Sequence, residues 1–472
     1  MASVKAYRFG EAGSPSYPVD FEVSKKAVLQ VTDIKTNRNK YYAIELHVAG
    51  TQYRVFTHYG RTDDLEGNAE AGAKECRFFA DAVEAMACYE QIYREKTSAK
   101  KGYKEVSLAS SKIGSQKARG TSAGEVDAKT VAKIAEREQD RPPLPVSKLS
   151  PLVQGLVSYI YAEATNALTT TIAAKITANG IETPLGVLTI GQIERGEAIL
   201  QQLYGVFKSD KPSPSELERL SGEFYTCIPH RIGRTRAAVE QAVISSLESF
   251  EQKQETLQLM KDMLSVNGDK SVLFDSKIDT QYGALKCEVA AMDPASTIFR
   301  ELSDYVLRSQ IKSKNIKIHN IYQIARPEET AAYDAKVGNE RLLFHGSRIK
   351  NWVGLLSRGI LMPKIVVSMG VNRTDAGWLG NGIYFGDAAC TSSFYTTAGK
   401  KGTRLMAIAR VALGKMKDFN RITYGIEGPP PGFDSCHGVR HTPKTPSQFQ
   451  DDEYVVYRSS QQRLEALVEF AA

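Results

Sequence analysis

The sequence predicts a multidomain α+β protein: a small β-rich domain, then an all-α helical bundle, then an α+β domain built on an antiparallel sheet. Three observations predict it. Apolar residues alternate with the two-residue period of strands near the start, recur at three- and four-residue helical steps in the middle, and fall in short β-rich runs between Gly and Pro loops at the end. A chain of 472 residues with 42% hydrophobic content is also too long for one core, at about 100–200 residues per domain.

From Val28 to Tyr59 the alternation runs through "YYAIELHVAG" and "TQYRVFTHYG", with Ala49-Gly50 as the turn between two strands. The following "AVEAMACYEQIYREKT" carries apolar residues at helical spacing and closes a domain over residues 1–105. Residues 106–145 are poor in large apolar side chains and end in "DRPPLPVS", the composition of a flexible linker. Its basic character begins just before it: between Arg94 and Arg119 stand eight Lys or Arg against two Glu. Two readings stay open, a solvated tether and an arm that contacts phosphates.

Residues 146–268 hold "LVQGLVSYIYAEATNAL", "TIGQIERGEAILQQLYGVF" and "PSELERLSGEFYTCI", all of helical period, with Ser215 and Glu218 resembling a helix-start box. Residues 269–472 return to mixed structure, with the helix "PASTIFRELSDYVLRSQ" followed by apolar runs such as "RLLFHGS", "NGIYFGD" and "TRLMAIARVALG". No G-x-G-x-x-G opens a helix after a first strand, so a dinucleotide would be held without a Rossmann turn.

The six cysteines are scattered, with no C-x-x-C pair, which argues against a structural zinc site and against a disulfide framework. A reducing compartment is expected. "MASVKAYRFGEAG" has no apolar leader core and no run of about 18 apolar residues occurs, so neither export nor a membrane span is expected. The net charge of +7 permits a polyanionic partner without demanding one.

Three fragments of the last region carry chemistry: His345-Gly346-Ser347 at the end of an apolar run, "LGNGIYFGDAACTSSFY" from Leu379 to Tyr395, and "DDEYVVY" from Asp451 to Tyr457. Singly, each has a structural reading as a core histidine, a glycine turn or an acidic edge strand. In this order they resemble the poly(ADP-ribose) polymerase catalytic domain, with His345, Tyr384 and Glu453 as its His-Tyr-Glu signature. "PLGVLTIGQIERGEAIL" and "LSGEFYTCIPH" resemble the helical regulatory domain of the DNA-dependent members, and Tyr59-Gly60-Arg61 stands where a WGR domain has its motif. "RTDAGWLGNGIYF" and "PPPGFDSCHGV" bring the catalytic part closest to the vault-associated member.

The resemblance implies an NAD+-dependent protein ADP-ribosyltransferase, with NAD+ as substrate and protein acceptors that include the enzyme itself. It also implies activation by broken DNA through Tyr59 and Arg61, a role in DNA repair, and restraint of NAD+ access by the helical domain. Gly346 would take the nicotinamide amide through its backbone, Ser392 would add a third contact, and Tyr384 and Tyr395 would sandwich the ring. His345 would bond the adenine-side ribose, with Ser347 and Asn351 in the same pocket. Glu453 would bind the nicotinamide ribose and stabilise the oxocarbenium-like transition state. Cys436, His437 and His441 read as part of an ordered Pro- and Gly-rich loop, so no metal is expected.

Four positions depart from the family pattern. Thr391 stands where several elongating members have lysine, Leu361 where DNA-dependent members have arginine, Trp378 where a smaller residue is common, and Tyr59 in place of the tryptophan of WGR. Poly(ADP-ribose) synthesis is the expectation. Mono-ADP-ribosylation with limited elongation, a silent DNA-binding scaffold and an NAD+ glycohydrolase are the alternatives. The expected location is the nucleus in a eukaryotic cell and DNA-associated cytoplasm in a bacterial one.

Overall fold

The computed structural model describes residues 4–66, 68–118, 147–172, 174–177, 180–207, 209, 211–230, 232–233, 235–267, 278–311, 313–362 and 377–472. The chain divides into two compact units, Met1–Pro145 with Leu168–Leu264, and Val146–Ala167 with Ser265–Ala472. The sequence divides it otherwise, placing all of 146–268 in one helical domain.

In the first unit, strands β1 (Tyr7–Arg8), β2 (Glu22–Asp33), β3 (Arg38–Ala49), β4 (Gln52–Arg61), β5 (Ala73–Phe79) and β6 (Lys104–Glu105) form an antiparallel sheet of order β1-β5-β4-β3-β2-β6. Gly50 takes φ 59° in the turn between β3 and β4, the left-handed region where glycine costs least. Helix α1 (Ala82–Thr97) starts at Asp81, whose carboxylate accepts from the Glu84 N–H at 2.9 Å. It buries Ala85 and Tyr89 against Leu29, Ile44 and Val55 of the sheet.

Residues 106–118, expected as linker, are built into this unit. Strand β7 (Leu108–Ser111) begins a second sheet of order β7-β10-β9-β8, whose other strands are β8 (Lys175–Thr177), β9 (Gly180–Glu182) and β10 (Gly186–Leu188). Ser115 then donates its backbone N–H and its hydroxyl to the buried Glu45 carboxylate, the hydroxyl at 2.6 Å. Composition misleads here because the few apolar side chains of the segment, Val106, Leu108 and Ile113, all pack into one cluster with Val28 and Tyr41, and a buried carboxylate holds the backbone beside them. The rest of the expected linker, 119–145, lies outside the described residues.

Helices α2 (Pro151–Ile172), α3 (Ile190–Phe207), α4 (Pro214–Cys227), α5 (Arg236–Gln241) and α6 (Leu247–Asn267) follow. The region is therefore not all-helical, since β8 to β10 interrupt it; strands of three residues are too short to show a period. The cap of α4 is Ser213, which accepts from Glu216 N–H at 3.4 Å with Pro214 in the first turn, two residues before the expected start. Helix α4 lies on β2. The Thr32 N–H donates to Thr226 Oγ1 at 2.9 Å, and a Cβ on Gly222 would come within 2.7 Å of the Thr32 carbonyl oxygen.

The second unit contains α7 (Ile278–Ala284), α8 (Thr297–Arg308), α9 (Pro327–Ala332), α10 (Trp352–Arg358) and α11 (Ala389–Ser393). Its strands among the described residues are β11 (Glu288–Ala291), β12 (Lys317–Ala325), β13 (Glu340–Gly346), β14 (Ile383–Gly386), β15 (Arg404–Ala412), β16 (Met416–Phe419), β17 (Ser435–Gly438), β18 (Glu453–Val456) and β19 (Gln462–Ala471). They form one sheet of order β11-β12-β19-β15-β13-β14-β18-β17-β16, antiparallel except for β16 beside β17. Helix α8, capped by Ser296, covers Phe344, Met406 and Val468. Among the described residues no helix is long and apolar enough to cross a membrane.

Candidate active site

The candidate residues come from three neighbouring strands, β13, β14 and β18, and from the short helix α11 that follows β14. Strand β13 ends in His345 and Gly346, each paired with β15 across from Ala407 and Met406. His345 donates its Nδ1–H to the Tyr384 carbonyl oxygen at 3.0 Å, which fixes the ring's tautomer because a carbonyl can only accept. Tyr384 is fixed in turn: its hydroxyl accepts from the Leu379 N–H at 3.0 Å and donates to the Gly380 carbonyl at 2.7 Å.

Gly346 packs so closely on α11 that a Cβ there would lie 1.9 Å from the Ser392 carbonyl oxygen. Only glycine fits, for reasons of space rather than of backbone angle. Ser392 itself is 4% exposed and donates its hydroxyl to the Phe344 carbonyl at 3.3 Å. Three residues on, Tyr395 donates its backbone N–H to the Ser392 carbonyl while its side chain stays 46% exposed. Asn351 donates to the Ser347 hydroxyl at 3.3 Å just beyond β13.

Glu453 opens β18 and faces Gly386 of β14 on one side and Gly438 of β17 on the other. Directly opposed residues of an antiparallel ladder share a face, so neither flanking strand puts a side chain beside this carboxylate. Its Oε2 is buried and has no hydrogen-bond partner, a costly state for a carboxylate unless a ligand meets it. Burial, and then the charge of Asp451, push the Glu453 carboxyl up to about 7.

A charged network that sequence reading missed borders this position. The Thr391 hydroxyl donates to Asp451 at 2.7 Å, and Arg440 bridges Asp387 at 2.7 Å and Asp452 at 3.2 Å. His437 lies between Asp418 at 2.9 Å and Asp452 at 2.8 Å and stacks on Tyr454. Burial alone would depress the His437 pKa, but its two carboxylate partners raise it; the same pairing outweighs burial at Asp452 and lowers it. Cys436 and His437 thus belong to a strand rather than to a loop, and His441 turns instead to Ser447. Among the described residues no three His, Cys, Asp or Glu side chains are placed to hold a metal ion. The signal in the sequence was the glycine after each of "IYF" and "SCH", legible only once the strands are paired.

Tyr59 and Arg61 lie on β4, in the first unit. Tyr59 stacks on Tyr42 at 5.2 Å and donates to Glu75 at 2.8 Å; Arg61 pairs with Asp63 at 3.1 Å and donates to the Asn37 carbonyl at 3.0 Å. Both side chains are engaged within the fold. Trp378 packs edge-on against Phe449, and Leu361 is exposed.

Three stretches of the chain match known domains. Residues 296–472 match the poly(ADP-ribose) polymerase catalytic domain, residues 147–281 the regulatory domain of the same enzymes, and residues 25–110 the WGR domain. Protein mono-ADP-ribosyltransferase PARP4 of Mus musculus is 34% identical over 323 residues, which are 68% of this chain and 16% of the relative. Protein mono-ADP-ribosyltransferase PARP3 of Homo sapiens is 27% identical over 494 residues, 93% of this chain and 86% of the relative. A Poly [ADP-ribose] polymerase of Drosophila melanogaster is 26% identical over 446 residues, 91% of this chain and 42% of the relative. The chain thus spans about a sixth of the length of its PARP4 relative. It belongs to the poly(ADP-ribose) polymerase family and carries that family's WGR, regulatory and NAD+-dependent ADP-ribosyltransferase domains.

Proposed function

We propose that the protein cleaves NAD+ between nicotinamide and ribose and passes the ADP-ribose to protein acceptors, itself included, at a rate raised by broken DNA. The observation that carries this reading is the buried, unpartnered Glu453 Oε2 between two glycines. Such a place suits a substrate hydroxyl and a developing cation. Glu453 binds the nicotinamide ribose and stabilises the oxocarbenium-like transition state. Gly346 presents its backbone to the nicotinamide amide with Ser392 beside it, and Tyr384 and Tyr395 enclose the ring. His345, with Ser347 and Asn351 nearby, positions the adenine-side ribose.

The domain division that goes with this reading is a WGR domain over 1–105, a basic segment over 106–145 whose residues 106–118 are built into the first unit, a regulatory region over 146–268 and a catalytic domain over 269–472, with no metal required. DNA contact rests on the WGR match together with the basic stretch. Tyr59 and Arg61 contribute to it only if DNA displaces their present partners. Work at DNA breaks places the protein in the nucleus of a eukaryotic cell, or beside the chromosome of a bacterial one.

Limited elongation is a second reading with its own support. Thr391 spends its hydroxyl on Asp451, and two of the relatives are named mono-ADP-ribosyltransferases. Incubation with labelled NAD+, with and without nicked DNA, followed by mass analysis of the protein, tests the whole proposal. Attached ADP-ribose supports it, and unit number decides product length. Free ADP-ribose alone makes the protein a glycohydrolase, and absence of turnover makes it a scaffold.

A further inference from the structure

Residues 151–167 of α2 pack in the same unit as the candidate site, and they grip one turn, Gly399–Thr403, which joins the Ser392–Tyr395 segment to β15. Tyr159 donates its hydroxyl to the Thr403 carbonyl at 3.1 Å, and the Lys400 N–H donates to Glu163 Oε1 at 2.7 Å. Lys401 donates to the Gly155 carbonyl at 3.1 Å and lies over the Tyr159 ring at 4.7 Å. Tyr159 and Glu163 are both buried. Gly399 leaves no slack, since a Cβ there would stand 2.2 Å from the Tyr159 hydroxyl and 2.9 Å from Glu163 Oε1.

The turn leads to the candidate site. Thr403 donates to Glu469 at 2.9 Å, which seats the turn on β19, and Arg404 donates to the Thr396 carbonyl at 2.8 Å. The Thr396 methyl is one of the atoms that close the space beside Gly346, 3.3 Å from where a Cβ would be. A path of packed and bonded groups therefore runs from α2 through the turn to Gly346 and Ser392.

We propose that Tyr159 and Glu163 are positioning residues for NAD+. They hold the turn that fixes the Ser392–Thr396 segment, so the first helix of the regulatory region is a strut the active site needs and not a part of its restraint. The inference rests on NAD+ being the substrate of this site, and it makes a distinctive demand. Loosening α2 from the turn must weaken NAD+ use, whereas an inhibitory helix would raise activity when loosened.

The test uses the full chain carrying Gly399→Ala, Glu163→Ala or Glu163→Gln, with NAD+ kinetics measured with and without nicked DNA and hydrogen exchange followed across 392–403. Gly399→Ala and Glu163→Ala should raise KM for NAD+ about three- to tenfold with kcat changed about twofold or less, as expected when ground-state positioning is lost. Amides of 392–397 should lose protection in both. Glu163→Gln keeps an acceptor oxygen for the Lys400 N–H and should rescue both measurements. A rise in activity without DNA, or unchanged KM and exchange in both disruptive variants, overturns the strut. A wild-type protein that turns over no NAD+ overturns the transferase reading instead, and the two failures are told apart by that control.

Discussion

Burial and the nearby Asp451 charge move the Glu453 carboxyl from 4.5 to about 7, so the free protein holds it partly protonated at neutral pH. If the ionised form is the one that stabilises the developing cation, kcat/KM should climb as pH rises through about 7. Stability moves the other way. A folded pKa above the unfolded one means that this group's contribution is complete below about 4.5 and is lost as pH rises through about 7. A pH–rate profile of kcat/KM that is flat from 6 to 8, at roughly neutral conditions, removes the assignment. Glu453→Gln keeps the shape and deletes the charge, at a loss of about 3–4 kcal/mol of transition-state stabilisation, or roughly two to three orders of magnitude in rate. Automodification by the folded variant at the wild-type rate would transfer the role to Asp451 or Asp452. The candidates His345, Tyr384 and Glu453 could be picked out in the sequence by residue type and order. Gly386, Gly438 and Asp451 were not, because their contributions are empty space and charge across a strand pairing that no local pattern encodes.

At the scale of elements, legibility followed length. Strands β3 and β4 and helices α1, α2 and α3 repeat their period several times, and each was expected where it stands; β1, β5 and β6 of the same sheet were not. The three-residue strands β8, β9 and β10 repeat nothing, and β7 is hidden in a basic, polar stretch whose anchor, Glu45, lies far back in the chain. The start of α4 was misplaced because two serines compete for the cap, and the structure selects the one preceding Pro214. The same helix yields a prediction. Gly222→Ala would press a methyl into the Thr32 carbonyl oxygen at 2.7 Å with backbone on both sides, so β2 and α4 must separate. Overpacking of this kind costs about 1–3 kcal/mol. Thermal unfolding should show a lowered midpoint, and a midpoint equal to that of the wild type would mean that the β2–α4 seam yields without cost.

For the whole molecule the open question is how much of the basic stretch is available to DNA. Four of its charges are already paired, Lys112 with Glu182 at 2.7 Å, Lys117 with Asp20 at 2.6 Å, and Lys96 and Lys101 with Glu95 at 3.3 and 4.0 Å, so counting positive residues in the sequence overstates the arm. Among the described residues Lys100 and Lys104 pair with no carboxylate, which makes them the better candidates for phosphate contact. Each neutralised phosphate adds about 0.9 to the slope of log affinity against log salt. Lys100→Ala with Lys104→Ala should therefore weaken nicked-DNA binding and flatten that slope by about 2 at most, while Lys112→Ala with Lys117→Ala should leave the slope nearly unchanged and lower stability instead. Equal slopes for both double variants and the wild type would make the stretch a tether. Removal of residues 1–118 is expected to do more than abolish DNA stimulation. It strips Thr226 of the Thr32 N–H and Gln192 of the Ser107 N–H, leaving polar groups of the helical region without partners. Limited proteolysis should then cut within 190–264 sooner than in the full chain, while the candidate site from His345 onward remains and a basal rate of NAD+ turnover should persist. Helices that resist proteolysis as well as before would show that the region folds independently of the β domain it rests on.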